Sequence, residues 1–371
     1  MTQVTSITTI GLMSGTSLDG TDAVAMRFTQ DAMCYLGHVS LPFPNDLRAE
    51  LLALTLPGDN EIERMGDASV ALVSHYTKAV NQLLKQTDLS PREVDAIGVH
   101  GQTIRHRPER GFTIQLNHPA LLAELTNISV ISDFRSRDVA AGGEGAPLVP
   151  AFHAKAFTGK TTRVILNLGG IANISILPAQ DDSNDTILGG DTGPANMLID
   201  TWVQRMTGKA YDENGRWAAS GRVDQALLKD CLNDPYFALP FPKSTGRERF
   251  SPEWLNERLA RHPDAAPKDV ARTLTELTAV TVTDAIKRFA PEANELILCG
   301  GGSYNQTLRH ALQDHFPGKV FDTLTLGVHP MQVEAAAFAW LAARFIQHLP
   351  GNLPSVTNAR GLRILGALYP H

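Results

Sequence analysis

Residues 11–22, Gly-Leu-Met-Ser-Gly-Thr-Ser-Leu-Asp-Gly-Thr-Asp, constrain this chain more than any other stretch. They are rich in glycine and hydroxyls, and they lie between two apolar runs, 7–10 and 23–28, that read as strands. A glycine-permitted turn there directs backbone N–H groups and the hydroxyls of Ser14, Thr16, Ser17 and Thr21 into one concavity suited to phosphate. Asp19 and Asp22 beside it suit a hydrated Mg2+. The spacing of Gly15 and Gly20 is that of a Walker A loop, but Thr21-Asp22 stands where Lys-Ser/Thr is required. Here strand also leads to strand, whereas a Walker loop leads to a helix. No Gly-x-Gly-x-x-Gly opens a helix, so a dinucleotide fingerprint is absent. An ordinary hairpin turn is the alternative reading of the stretch taken alone.

At 371 residues the chain exceeds one comfortable core, so two domains are expected. Helical periodicity marks 44–55, 62–85, 270–289 and the alanine-rich 331–347. Short apolar runs at 94–99, 128–131, 162–168, 171–177 and 295–299 read as strands. This alternation is that of an α/β protein. A second strand–turn–strand unit around Asn167-Leu-Gly-Gly-Ile-Ala-Asn173 opens the second half as the first opens the chain. The two are too different to be a sequence repeat, yet two such halves would present both turns to one phosphate chain. With a net charge of −6 and no basic stripe, nucleic-acid binding is disfavoured. No leader and no membrane-length segment is apparent, and Cys34, Cys231 and Cys299 are scattered, so a cytoplasmic home is expected.

Phosphoryl transfer needs phosphates held by N–H groups, a metal and a carboxylate for the nucleophile. Asp191, between a short strand at 187–190 and a helix opened by Pro194, is the candidate base, with a helix-cap role as the alternative. Gly300-Gly301-Gly302 after a strand would let a nucleotide approach the backbone, or is simply a tight turn. His100 and His106 lie among polar and basic residues, and Glu334 is a lone acid on an apolar helix. The cluster at 243–249 reads as a solvated basic loop, or as a lid over an anion.

Seven motifs in order then resemble one family. They are Gly11 to Gly20, His100-Gly-Gln-Thr103, Ser132-Asp-Phe-Arg135, Asn167 to Asn173, Asp191-Thr-Gly-Pro194, Cys299-Gly-Gly-Gly302 and Val328-His-Pro-Met-Gln-Val-Glu-Ala335. Together they resemble the anhydro-N-acetylmuramic acid kinases across nearly the whole chain. Thr21 departs from the family, where a branched aliphatic residue is more usual.

The resemblance implies two ribonuclease-H-like domains of the actin and sugar-kinase type around an ATP cleft. Residues 1–160, joined by 350–371, would form one lobe and 161–349 the other. It implies ATP-dependent opening and O6 phosphorylation of 1,6-anhydro-N-acetylmuramic acid, in peptidoglycan recycling. Asp191 would activate the water. Gly15, Thr16, Ser17, Leu18, Asp19, Gly20, Thr21 and Asp22 would hold ATP phosphates with Asn167, Gly169, Gly170 and Gly300 to Gly302. Asp19 or Asp22 would stand near Mg2+ through water. Glu334, His100 and Arg137 are the implied sugar contacts, and a homodimer is implied. A kinase of another small sugar or acid on the same fold is the nearest rival. A glycosidase using Asp191 and Glu334, and an ATP-driven binding protein, are more distant ones.

Overall fold

The computed structural model describes residues 6–15, 18–30, 32–180, 186–241, 243–246 and 249–371. Thr16, Ser17 and Arg247 lie outside the described residues. The chain begins with strands β1 (Ile7–Met13), β2 (Gly20–Phe28) and β3 (Met33–Pro42), then helices α1 (Asn45–Ala53) and α2 (Glu61–Thr87). Next come β4 (Ala96–Val99), β5 (Gln102–Arg107), β6 (Phe112–Leu116), α3 (Pro119–Thr126), β7 (Val130–Ser132), α4 (Ser136–Ala140) and α5 (Val149–Phe157). A second meander follows: β8 (Arg163–Leu168), β9 (Ile171–Leu177) and β10 (Leu188–Pro194). Helices α6 (Asn196–Thr207), α7 (Arg216–Ala219), α8 (Gln225–Leu232), α9 (Pro252–Leu259) and α10 (Pro267–Phe289) come next, then β11 (Glu295–Cys299), α11 (Gln306–His315) and β12 (Lys319–Asp322). The chain ends in α12 (Val333–Ile346), α13 (Pro354–Thr357) and β13 (Ala367–Tyr369).

Two compact units result. One runs through Phe152 and resumes at Gln332, and the other holds His153–Met331. These divisions differ from the expected 160/161 and 349/350, because α12 packs on the first sheet. In the first unit the strand order is β13-β7-β4-β1-β2-β3. Strands β1, β2 and β3 run antiparallel in sequence, while β4 lies parallel to β1 and β7 parallel to β4. The second unit repeats this with β10-β9-β8-β11-β12, the meander antiparallel and the last two strands parallel. Numbered within each sheet, the first reads 3-2-1-4-5-6 and the second 3-2-1-4-5; both contain the ribonuclease-H-like order, and β13 adds an antiparallel edge strand to the first. The two halves that the paired hairpins suggested, without a sequence repeat, are therefore alike in topology.

Helix α12 shows how the first unit closes. It is apolar on all sides, as a helix buried on all sides must be, and Ala335, Ala336, Ala339 and Ala342 are buried. Its backbone lies directly on β1 and β4, where Gly11 and Gly98 are register partners. A Cβ at Gly11 would sit 1.9 Å from the Ala335 carbonyl oxygen, and one at Gly98 would sit 2.2 Å from that of Phe338. The Thr9 hydroxyl donates to the Ala339 carbonyl at 2.8 Å, bonding sheet to helix through a side chain. In the second unit α10 begins at Pro267, whose missing N–H costs nothing in a first turn. It buries Leu274, Leu277 and Val282. The Thr278 hydroxyl donates to the Pro194 carbonyl at 3.0 Å, fixing the end of β10.

Several elements depart from the sequence expectation. The strand at 187–190 continues through Pro194, so Pro194 is not in a helical first turn. Strands β3, β12 and β13 and helices α4, α8 and α9 are elements the sequence reading did not mark.

Gly11→Ala forces a methyl into a main-chain oxygen that cannot rotate away. It is expected to destabilise the first unit by about 3 kcal/mol, the upper range for overpacking. The midpoint of the first urea transition measures this, and an unchanged midpoint would refute the close-approach argument.

Candidate active site

In the first unit the candidate residues gather at the carboxyl ends of β1, β4 and β7, where open α/β sheets place ligands. The β1–β2 turn is pinned by its own backbone, the Leu18 N–H donating to the Gly15 carbonyl at 3.2 Å. Gln102 donates to the same carbonyl at 3.2 Å. Leu18 has φ 58°, an uncommon left-handed state for a branched residue, and its side chain is buried. Gly20 is required by packing, since its Cβ would lie 2.3 Å from the Leu41 carbonyl oxygen of β3.

Two of the expected hydroxyls do not line a concavity. Ser14 is buried, and its hydroxyl pairs with the Tyr76 hydroxyl at 2.7 Å and donates to the Gly101 carbonyl at 3.1 Å. Thr21 is 1% exposed with its hydroxyl enclosed, so its main chain alone is left to meet a ligand. Period-2 alternation along β2 turns residue 21 inward and Asp22 toward the other face.

Asp22, half-buried at the start of β2, is the more enclosed acid of this region. Its Oδ1 accepts from the Ser40 hydroxyl at 2.5 Å and from Gln332 Nε2 at 3.2 Å, and Gln332 also donates to Ser40 at 3.0 Å. Burial raises its pKa, and the two hydrogen bonds only partly offset that. Among the described residues no three His, Cys, Asp or Glu gather to hold a metal. A single acid, with phosphates and water completing the shell, is how Mg2+ is ordinarily held beside a nucleotide, so the residues fit that ion. Asp19 is exposed at the edge of the turn.

His100 follows β4 and is buried. Its Nε2 accepts from Arg135 Nε at 2.9 Å, its ring meets Phe338 at 4.7 Å, and burial followed by the nearby guanidinium holds its pKa well below the usual value. His100 is therefore neutral, with its proton on Nδ1. Arg135 also donates to the Gly145 carbonyl at 2.8 Å. Burial lowers its pKa to about 10, with Glu334 and Asp138 acting in the opposite sense. Glu334 lies in the first turn of α12. Arg137, by contrast, is exposed on α4. Arg135, in the Ser132–Arg135 motif, is the arginine that the structure brings against His100. His106 pairs with Thr113 at 3.0 Å, and Arg105 pairs with Glu61.

In the second unit the β8–β9 turn docks on α6. The main-chain N–H groups of Ala195 and Met197 donate to the Gly170 carbonyl, and that of Asn196 to the Gly169 carbonyl, at 2.9–3.1 Å. Asn196 Nδ2 reaches the Leu168 and Gly169 carbonyls. These bonds use the turn's carbonyls and none of its N–H groups. A Cβ at Gly169 or Gly170 would meet nothing closer than 3.6 Å, so the protein itself does not demand glycine there. Gly300 and Gly302 differ. A Cβ on either would strike Asn167 or Leu168, at 2.4 and 2.7 Å, whereas Gly301 is open.

Asp191 lies at a β-bulge, where the pairing with β9 shifts between Asp191 and Gly193. Bulges re-aim side chains, often beside active sites. The cap position of α6 is Ala195, so the helix-cap reading of Asp191 is withdrawn, and the helix N-terminus is not what holds it. Main-chain and tyrosine contacts hold it. The Thr245 N–H donates to Oδ2 at 2.9 Å, the Tyr236 hydroxyl to its carbonyl at 3.0 Å, and its own N–H to the Lys243 carbonyl at 2.9 Å. Lys243, Thr245 and Arg249 of the basic segment are thus held by protein contacts. Lys243 Nζ donates to the Tyr236 and Phe237 carbonyls, and Arg249 pairs with Asp234.

Ribonuclease-H-like topology built twice, with glycine turns at the carboxyl ends of its parallel strands and a seated carboxylate, defines a phosphotransferase of the actin and sugar-kinase class. Within that class the chain belongs to the anhydro-N-acetylmuramic acid kinase family, whose sequence model matches residues 7–371. A relative of that name from Burkholderia orbicola (strain MC0-3) is 55% identical, covering 97% of this chain and 95% of its own. One from Burkholderia thailandensis is 52% identical, covering 97% of each. Among solved structures, a ROK family glucokinase from Streptomyces griseus is 13% identical, with a TM-score of 0.40, covering 91% of this chain and 99% of that one. At that distance the strand order carries the fold assignment by itself.

A buried neutral His100 has a sign-definite consequence. Its folded pKa is lowered, so above pH 6.5 both states are neutral and nothing is linked. Below that, only the unfolded chain takes up the proton, and stability falls by at most about 1.4 kcal/mol per pH unit. His100→Gln keeps an acceptor for Arg135 and should flatten the decline between pH 6.5 and about 5. Urea titrations of both proteins at the two pH values measure it, and parallel curves would mean that His100 is protonated in the fold.

Proposed function

We propose that this protein uses ATP to phosphorylate O6 of 1,6-anhydro-N-acetylmuramic acid while water opens the anhydro bridge. The products are N-acetylmuramic acid 6-phosphate and ADP, as peptidoglycan recycling requires. Family membership supports the substrate, and the seat of Asp191 carries the chemistry. One carboxylate oxygen is anchored by a main-chain N–H, on a bulge that re-aims the side chain.

In this reading Asp191 takes a proton from water as the water oxygen bonds to the anomeric carbon. The bond from that carbon to O6 breaks, and the O6 electron pair bonds the γ-phosphorus as ADP leaves. Coupling is chemically sensible, because an ether oxygen is a poor leaving group and phosphoryl capture removes its charge as it forms. Phosphate contacts are assigned to Gly15, Thr16, Ser17, Leu18, Asp19, Gly20 and the Thr21 main chain, and to the turn at Asn167, Gly169 and Gly170. The open Cβ space at Gly169 and Gly170 supports a ligand lying against that backbone. Gly301, with Gly300 and Gly302, is assigned to the nucleoside side. Mg2+, when bound, supplies positive charge to the phosphates, and Asp22 through water, or Asp19, would hold it. The sugar is assigned to Glu334 and His100, with Arg135 and Arg137 as cations for its carboxylate. We also infer a cytoplasmic homodimer without nucleic-acid partners. No helix among the described residues is long and apolar enough to cross a membrane.

General-base help is worth roughly 10²–10⁴-fold. Asp191→Asn is expected to lose at least that in kcat while binding ADP with near-parental affinity by calorimetry. Near-normal turnover would defeat the assignment. Product analysis tests the substrate: ring opening and phosphate transfer should appear together, and only with ATP. ADP release on a reducing sugar but not on the anhydro sugar would favour an ordinary sugar kinase.

A further inference from the structure

The groups around Asp191 close a ring through one side chain. Lys243 Nζ donates to the carbonyls of Tyr236 at 3.0 Å and Phe237 at 3.2 Å, and it sits 4.4 Å from the centre of the Tyr236 ring. The Tyr236 hydroxyl donates to the Asp191 carbonyl. The Lys243 carbonyl accepts the Asp191 N–H, and two residues on the Thr245 N–H reaches Oδ2. Tyr236 is itself fixed, packed edge-on against Phe250 at 5.5 Å. A lysine meant only to capture an anion would keep its ammonium open, but this one turns two donors inward onto carbonyls. Resting on the reading of Asp191 as the base, we propose that Lys243 is a positioning residue. It clamps residues 243–245 to the 3-10 turn Pro235–Ala238, so that the Thr245 N–H holds the Asp191 carboxylate in its working orientation. The ammonium also favours the ionised form of Asp191 through space.

The charged groups bearing on Lys243 are Asp191, Arg288, whose guanidinium bonds the Ala238 carbonyl, and Arg249, which lies over the same Tyr236 ring and pairs with Asp234. Burial, then Arg288, lowers the lysine to about 8, with Asp191 opposing. The test is kcat and KM against pH for the full-length parent, Lys243→Met, Lys243→Gln, Lys243→Arg and Asp191→Asn. Removing the charge should cut kcat by about tenfold to a hundredfold, as misplacement of a reacting group does. It should also raise the acid limb of the kcat profile and leave the KM for ATP unchanged. Lys243→Arg should recover most of the loss. Parental kcat and acid limb in Lys243→Met, with Asp191→Asn inactive, would overturn the Lys243 role alone. Near-parental Asp191→Asn would overturn the base reading on which it rests. Should neither neutral variant fold, the parent profile decides. A fall in kcat on the alkaline side that Lys243→Arg moves to higher pH supports the clamp, and an alkaline limb shared by the two proteins refutes it.

Discussion

Helix α12 can lie on the first sheet only because two neighbouring strands lack a side chain at the contact. Gly11 and Gly98 face each other across β1 and β4, and the helix backbone fills the space their Cβ atoms would take. A helix seated this closely has little freedom to slide or roll. Its first turn then fixes Glu334, the residue before it fixes Gln332 against Asp22, and Phe338 one turn on packs on His100 and Phe134. The last part of the chain is thus required to complete a site that the first part begins.

The second unit uses glycine differently, and the difference separates packing from function. At Gly300 and Gly302 a methyl would strike neighbouring protein, so the fold alone explains these residues. At Gly169, Gly170 and Gly301 nothing in the protein objects to a side chain. Glycine there costs backbone entropy without a packing return, which is the observation behind their proposed ligand-facing role. Both units place their turns at the same point of the same topology, between the first two strands of an antiparallel meander. Parallel strands beside each meander bring further loops to that end, His100 after β4 and Gly300 after β11.

Much of this was legible in the sequence because it is local. The glycine turns, the alternation of strands and helices, and the apolar α12 all follow from short-range pattern. What was not legible depends on direction and long-range partners. Thr21 reads as a turn hydroxyl, but strand alternation buries it. Arg137 and Arg135 are two residues apart and chemically alike, and only burial beside His100 separates them. Asp191 reads as a helix cap because Pro194 reads as a helix start, and the bulge that extends β10 has no local signature. Lys243 reads as surface charge because its partners, the Tyr236 and Phe237 carbonyls, carry no side-chain signal.

The titratable groups of the two units follow one rule, which bears on how such a site keeps its charge pattern. Burial neutralises His100 and leaves Arg135 as the cation of that cluster, with Glu334 as its electrostatic counterpart. Two adjacent buried cations would repel and lose hydration, so the neutral imidazole serves as an acceptor that orients the guanidinium without adding charge. Asp191 is oriented by the same economy. The donor on its carboxylate is a main-chain N–H that does not titrate, and the tyrosine beside it acts on its carbonyl. Orientation depends on that segment staying in place, and the Lys243 ammonium ties it to the Tyr236 and Phe237 carbonyls. A carboxylate held this way has its orientation set by main-chain contacts, and its proton affinity is tuned through space.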